Sequence, residues 1–375
     1  MWIAECGRRN GGRAFFRSPR APRPALRNLF RRSWQKGLWK LGFHRALPDR
    51  PSTLMVEPTN ACNLHCPACP TGAGILNRAP RAMSFDEFRK ILDQALDPPG
   101  YLRRVTLFNY GEPFLCPDLL RMVRCAADRG LETFTSTNGQ FFGGAKIADE
   151  VVASGLTELL ICLDGADQET ISRYRKDANF DEILSGIRRV MAARALRRSP
   201  GRPERSRTGA KPGPATPIVE LQFILMKHNE GQVERMRRIA ADLGVDRFII
   251  KTVGISPGMP GFERLARELL PADLSDSRYE RRADGSFALK GEAPCGCEYV
   301  FSTLVVNSNG DVVPCCYDIH SEHVMGNLFR QPLAEIWLGE KFRDFRRRVS
   351  ARRDAVAICR HCPEGRAPIR KTEQL

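Results

Sequence analysis

The chain has 375 residues, 42% of them apolar and 27% charged, a balance that excludes wholesale disorder, collagen-like repeats and coiled coils and leaves room for a barrel-sized domain plus a smaller module. No apolar stretch approaches the roughly 18–20 residues that a membrane helix requires, which argues against a spanning protein. The net charge of +16 is concentrated in two places, and the 13 cysteines fall in tight groups; an odd count with C-x-x-C spacing predicts reduced thiols that bind metal in a cytosol.

Residues 1–50 form a basic arm, with 13 Lys/Arg against Glu5 and Asp49. Arg8, Arg9 and Arg13 interrupt any apolar core of a secretory leader, so a cytoplasmic location is expected. From Leu26 onward, Leu29, Phe30, Trp34, Leu38 and Leu41 recur at helical spacing, with Arg27, Arg31, Arg32, Lys36 and Lys40 on the other faces. Such a basic amphipathic helix over 26–47 either covers the end of the next domain or makes peripheral contact with an anionic membrane. The second basic stretch, 194–217, is rich in Pro, Arg and Gly and predicts a disordered surface insertion. The rest of the chain is close to neutral, which disfavours a nucleic-acid substrate, since an enzyme acting on one lines its cleft with positive charge.

Between 51 and 253 strand and helix patterns alternate. Apolar, β-rich runs occur at 53–59, 105–109, 132–137, 158–163, 218–226 and 247–253. Ser84 with Glu87 forms a capping box opening a helix toward Leu96, and Gly130, Gly155 and Gly244 stop the helices that precede them. Six βα units in series imply right-handed crossovers and a parallel sheet, an α/β partial (βα)6 barrel whose chemistry lies beyond the C-terminal strand ends. Residues 254–290 read as a linker and 291–375 as a cysteine-rich module.

Directly after the first strand the sequence runs Glu57-Pro-Thr-Asn-Ala-Cys62-Asn-Leu-His-Cys66-Pro-Ala-Cys69. Three thiolates at C-x3-C-x2-C are one short of closing a tetrahedral zinc or of ligating all four irons of a cubane, and an iron left open is a binding position. His65 is adjacent to Cys66 and too close to complete one tetrahedral ion with it. The second strand ends Asn109-Tyr110-Gly111-Glu112-Pro113, the third Thr135-Ser136-Thr137-Asn138-Gly139, and the fourth Cys162-Leu163-Asp164-Gly165, with Arg175 shortly beyond.

This series resembles the radical S-adenosylmethionine (SAM) enzymes. The resemblance implies a [4Fe-4S] cluster held by Cys62, Cys66 and Cys69, with SAM chelating the open iron and cleaved by one electron to a 5′-deoxyadenosyl radical. It implies that Gly111, Glu112 and Pro113 hold the SAM amino group, although Tyr110 stands where the family's first glycine would be. It places Ser136, Asn138 and Asp164 along the ribose and methionine moieties, and Arg175 against the SAM carboxylate, a task suited to a guanidinium. Ala68 occupies the place of an aromatic residue found in many relatives, so adenine packing is expected from elsewhere.

In the C-terminal module, 301–306 and 311–314 read as a hairpin joined by Asn307-Ser308-Asn309-Gly310. The run from Cys297 through Gly310 to Cys315, the Gly326-Asn327-Leu328 segment, a helix around Ile336-Trp337 and the closing pair Cys359 and Cys362 resemble a SPASM domain in its shortened twitch form. That implies one auxiliary [4Fe-4S] cluster on Cys297, Cys315, Cys359 and Cys362, with Cys295 and Cys316 spare or alternative ligands; four thiolates also suit a structural zinc. Cys125 and Cys162 read as small core residues, Cys116 as lying near the site, and Cys6 belongs to the arm. His320 and His323 read as surface histidines beside the hairpin, with service as the proton acceptor the alternative.

The reaction expected from this resemblance is hydrogen abstraction followed by transfer of a second electron to the auxiliary cluster. The substrate would be a small polar metabolite, sugar- or cyclitol-like, or a peptide, with an electron donor such as flavodoxin or ferredoxin. The alternatives are radical chemistry on RNA or lipid and a non-catalytic zinc scaffold.

Overall fold

Strands covered on both faces read as continuous apolar runs, and residues of this kind build the centre of the sheet. The computed structural model describes residues 49–198, 216–255, 259–293, 296–366 and 370–375. Six strands, β1 (Thr53–Val56), β2 (Arg104–Thr106), β3 (Glu132–Thr137), β4 (Glu158–Cys162), β5 (Ile218–Leu225) and β6 (Arg247–Thr252), lie side by side in sequence order and all parallel. Each crossover carries a helix whose apolar stripe covers the sheet. The helix Phe85–Leu96 is typical: Ser84 Oγ accepts from Glu87 N at 3.3 Å, Glu87 Oε2 accepts from Ser84 N at 2.9 Å, and Phe88, Ile91, Leu92 and Ala95 are buried. Gly244, at φ 67°, ends Val233–Leu243 in the left-handed conformation that glycine adopts without strain.

Two of these strands are shorter than their apolar runs. β1 stops at Val56 rather than Thr59 and β2 at Thr106 rather than Asn109, because the residues beyond them leave the ladder to build the site. The insertion also starts later than its charge suggests. Residues 194–198 complete the helix Phe180–Arg198, and Arg194 is buried, donating to the Pro217 carbonyl at 2.9 Å and pairing with Asp246. The 26–47 helix, Cys6 and residues 199–215 lie outside the described residues, as does Cys295.

The span 254–290 is folded rather than a bare linker. It holds the helix Phe262–Leu269 and a hairpin of β7 (Tyr279–Arg281) with β8 (Phe287–Leu289). The Tyr279 hydroxyl accepts from Ile255 N at 3.1 Å, which anchors the hairpin to the chain leaving β6.

The C-terminal residues extend the same sheet. A short helix, Tyr299–Ser302, takes the place of the first residues assigned to the hairpin, and β9 (Thr303–Val306) pairs with β1 in parallel. β10 (Asp311–Val313) and β11 (Gly326–Asn327) continue antiparallel beyond it, and β12 (Arg370–Gln374) pairs antiparallel with β6 at the opposite edge. The order is β11-β10-β9-β1-β2-β3-β4-β5-β6-β12. Among the described residues, no helix is long and apolar enough to cross a membrane.

One buried carboxylate locks β9 to β1. Glu57, with no solvent exposure, accepts from both terminal nitrogens of Arg78 at 2.5 and 2.8 Å and from the backbone nitrogen and hydroxyl of Ser308 at 3.2 and 3.0 Å. Ser308 lies in the turn between β9 and β10, and its carbonyl accepts from Arg81. Removing one member of a buried pair strands the other's charge. Glu57→Ala is therefore expected to destabilise the protein by about 3–5 kcal/mol in equilibrium urea unfolding, and Glu57→Leu with Arg78→Leu to recover much of that loss.

Candidate active site and auxiliary cysteine cluster

The loop leaving β1 carries Cys62, Cys66 and Cys69, and its shape is fixed by backbone contacts that admit no side chain. A Cβ on Gly72 would lie 2.4 Å from Cys66 N, and one on Gly111 2.4 Å from the Thr59 carbonyl; Gly111 also holds φ +80°. Cys69 N donates to the Cys66 carbonyl at 3.1 Å, Ala73 N to Cys69 at 2.8 Å, and Leu64 N to the Cys62 sulfur at 3.4 Å. Burial raises the Cys62 thiol and pushes Cys66 up to about 12; the charge of Cys69 acts on both, and that of Cys62 on Cys66. Among the described residues no three His, Cys, Asp or Glu side chains gather tightly enough for a single metal ion.

The strand ends beside this loop are tied to it one by one. Glu112 N donates to Ala61 O at 2.8 Å and Gly111 N to Thr71 Oγ1 at 3.2 Å. The Glu112 carboxylate, 3% exposed, accepts from the Thr137 hydroxyl at 2.8 Å, Asn138 N at 2.8 Å and Phe114 N at 3.1 Å. Burial raises it to about 7 against the pull of those donors. Pro113 opens the short 3-10 turn that Glu112 caps. Asn138 completes the tie by donating to Asn63 Oδ1, inside the cysteine loop, at 2.8 Å. His65 plays the part of a brace: its Nδ1 lies 2.6 Å from Asp177 Oδ2 on the surface.

Arg175 is the cation of the site. It is 9% exposed, and its Nε donates to Asp164 Oδ2 at 2.7 Å. The other oxygen of Asp164 accepts from Ile224 N at 2.7 Å, and the carboxyl has no exposed surface. Asp164 therefore holds Arg175 in place. Arg175 is close enough to Cys66 for its charge to lower that thiol against the effect of burial.

Ser136 lies with polar company that the sequence did not announce. Its Oγ is 3.6 Å from Cys162 Sγ, which also accepts from Gln222 Nε2 at 3.4 Å. Cys162 is buried as expected, but among polar neighbours rather than apolar ones. At the end of β2 the Asn109 amide nitrogen is buried without a hydrogen-bond partner in the described structure. Cys116 and Cys125 are buried and line a cavity of about 900 Å³ among the outer helices. His323 departs from the surface reading: its Nε2 is buried without a partner, and its ring packs on Phe345.

The second cysteine group is brought together from three segments. Cys359 is pushed up to about 12 by burial and by the charges of Cys362 and Cys297, and Cys315 feels Cys362. Arg353, 5% exposed, donates to the Cys362 sulfur at 3.2 Å and acts electrostatically on Cys297 and Cys359. Hydrogen bonds with the Cys315 side chain and the Tyr299 hydroxyl lower the Cys316 thiol. Both groups fit iron–sulfur clusters on their donor chemistry, soft thiols beside a buried guanidinium with backbone cradles of glycine around the first.

Two family models match the chain, the radical SAM superfamily over residues 56–195 and the SPASM iron–sulfur cluster-binding domain over 295–363. The chain is 25% identical over 326 residues to the tungsten-containing aldehyde ferredoxin oxidoreductase cofactor-modifying protein of Pyrococcus furiosus, covering 78% of this chain and 82% of that protein. It is 26% identical over 337 residues to the PqqA peptide cyclase of Streptomyces rochei, covering 84% and 83%. Its fold resembles that of Streptococcus suis SuiB bound to the precursor peptide SuiA, with a TM-score of 0.58, 15% identity and coverage of 94% and 77%.

Two outcomes follow from this geometry. Gly111→Ala is expected to displace the 59–61 backbone, so that the variant retains less than half of its iron at the first site after reconstitution, measured against the second. Glu112 has a folded pKa of about 7, above the ordinary 4.5, so its contribution to stability is complete below about 4.5 and is lost as pH rises through about 7. Melting curves of the cluster-free chain are therefore expected to favour Glu112→Gln increasingly between about pH 5 and pH 8, by on the order of 3 kcal/mol.

Proposed function

The chain belongs to the radical SAM superfamily and carries a SPASM module, and from that premise we propose that it oxidises a peptide by two electrons, using one auxiliary [4Fe-4S] cluster as the acceptor of the second. It is a SAM-dependent iron–sulfur enzyme. When bound, SAM on the first cluster supplies a 5′-deoxyadenosyl radical for hydrogen abstraction, and a closed auxiliary cluster supplies a one-electron sink.

Cys62, Cys66 and Cys69 hold the first cluster on a loop that Asn138, Glu112 and Thr71 keep in register with the strand ends. Glu112, with Gly111 and Pro113, meets the amino group of SAM; a cation arriving there draws the carboxyl back to its ionised form. Asp164 aims Arg175 at the carboxylate of SAM, and Ser136 and Asn138 line the rest of the molecule. Cys297, Cys315, Cys359 and Cys362 hold the auxiliary cluster, with Arg353 offsetting the negative charge of the thiolates. The observation that carries this reading is the convergence of Cys297, Cys359 and Cys362 on Arg353, with Cys315 near Cys362, since a cluster ligated by all four would leave no iron for substrate and suit electron transfer.

The peptide substrate is supported by the likeness to the PqqA peptide cyclase and by the fold shared with peptide-bound SuiB. A small polar metabolite is the second reading, favoured by the single set of four cysteines of the twitch type. Flavodoxin or ferredoxin would deliver the first electron.

Anaerobic reconstitution should give about eight irons per chain, two four-iron clusters, with 5′-deoxyadenosine formed from SAM only when dithionite is present. Cys66→Ala should halve the iron and abolish 5′-deoxyadenosine, and Cys359→Ala should halve the iron and leave SAM cleavage in place. A zinc-loaded, colourless protein would overturn the proposal.

A further inference from the structure

The two cysteine groups are joined by one side chain that neither of them explains. Tyr110 stands at a position where the family pattern has glycine, between Asn109 and Gly111. Its backbone is seated on the first cluster loop: Gly111 N is bonded to Thr71 Oγ1 at 3.2 Å, Glu112 N to Ala61 O at 2.8 Å, and Gly111 is pressed against the Thr59 carbonyl with no room for a Cβ. Its hydroxyl donates to the carbonyl of Cys316, next to Cys315. Cys69 on one side and Cys315 and Cys316 on the other are near enough for their charges to act on that hydroxyl. The same Cys315–Cys316 segment is tied to the barrel a second time, because the Tyr299 hydroxyl meets both the Cys316 thiol and the sulfur of Met55 in β1, the latter at 3.3 Å.

We propose that Tyr110 is a positioning residue that couples the two iron–sulfur sites, fixing the auxiliary ligand loop to the SAM-site loop and setting the reduction potential of the auxiliary cluster through its hydroxyl. This rests on the assignment of that cluster to Cys297, Cys315, Cys359 and Cys362. The physical basis is local. An O–H donor on a carbonyl beside a cluster ligand offsets the negative end of that carbonyl dipole next to the cluster, and the dipoles and hydrogen bonds around a cluster tune its potential. Phenylalanine at 110 would fill the same space and keep out the same water, so the hydroxyl alone is what the substitution removes.

The test is a potentiometric EPR titration of the reconstituted, full-length protein and of Tyr110→Phe. The auxiliary midpoint is expected to fall in the variant by about 30–60 mV, the equivalent of a roughly three- to tenfold change for one neutral hydrogen bond at 59 mV per tenfold, while the first cluster moves by less. Loss of auxiliary iron with first-site iron retained would also support the coupling. Two loaded clusters with both midpoints unchanged would overturn it. Should the variant not fold, the unaltered protein carries a readout of its own: adding SAM should shift the auxiliary midpoint, by reciprocity between coupled sites, and a midpoint indifferent to SAM would overturn the coupling. About four irons per chain in the unaltered protein would overturn the auxiliary cluster itself, and the coupling with it.

Discussion

The parallel pairing of β9 with β1 is the constraint on which the rest of the molecule depends. β1 ends in the cysteine loop, so whatever fixes its edge also fixes the loop. On one side β2 brings Gly111 and Glu112; on the other β9 brings the turn that carries Ser308. Glu57 sits where β1 gives way to the loop and is bonded to Arg78 and Ser308. A carboxylate with no exposed surface is costly unless every lone pair is used, and here its partners come from two segments far apart in sequence. The charge thus specifies one arrangement of barrel and C-terminal hairpin rather than adding net stability.

The same logic runs through the site. Asp164 and Arg175 are both buried and matched to each other, which keeps a guanidinium near the first cysteine loop without exposing it to solvent. Arg353 does the equivalent among the auxiliary thiols. Groups of this kind are oriented before a ligand arrives, so the cost of ordering them is met in folding rather than in binding. Glu112 differs: three donors point at it, yet burial holds its proton on to near neutrality. Burial raises Asp164 as well, but Arg175 pulls against that rise.

Much of this was legible in the sequence, and the residues show why. Triple cysteines after an apolar run, a capping box at Ser84 and glycines that stop helices are local signals, and β3 and the helix Phe85–Leu96 fall where those signals put them. What was not legible depends on distance. Nothing in Thr303–Val306 says that its neighbour is Thr53–Val56, because parallel pairing leaves no mark on local periodicity. Arg370–Gln374 is polar throughout and carries no strand pattern, yet it covers the edge of β6. Asp164 and Arg175 were found by motif, but that both oxygens of Asp164 are taken within the protein is a matter of geometry. The polar setting of Cys162 was hidden by the apolar residues around it in the chain, since its neighbours, Ser136 and Gln222, come from adjacent strands.

The hydrogen bond between Ser52 and Ser302 spans 250 residues, and that separation bears on how the polypeptide is made. A ribosome releases β1 and the cysteine loop well before Thr303–Val306, so the outer edge of β1 stays bare while the residues between Ser52 and Ser302, 250 apart, are added. Contacts of such long range close slowly and leave strand edges exposed meanwhile.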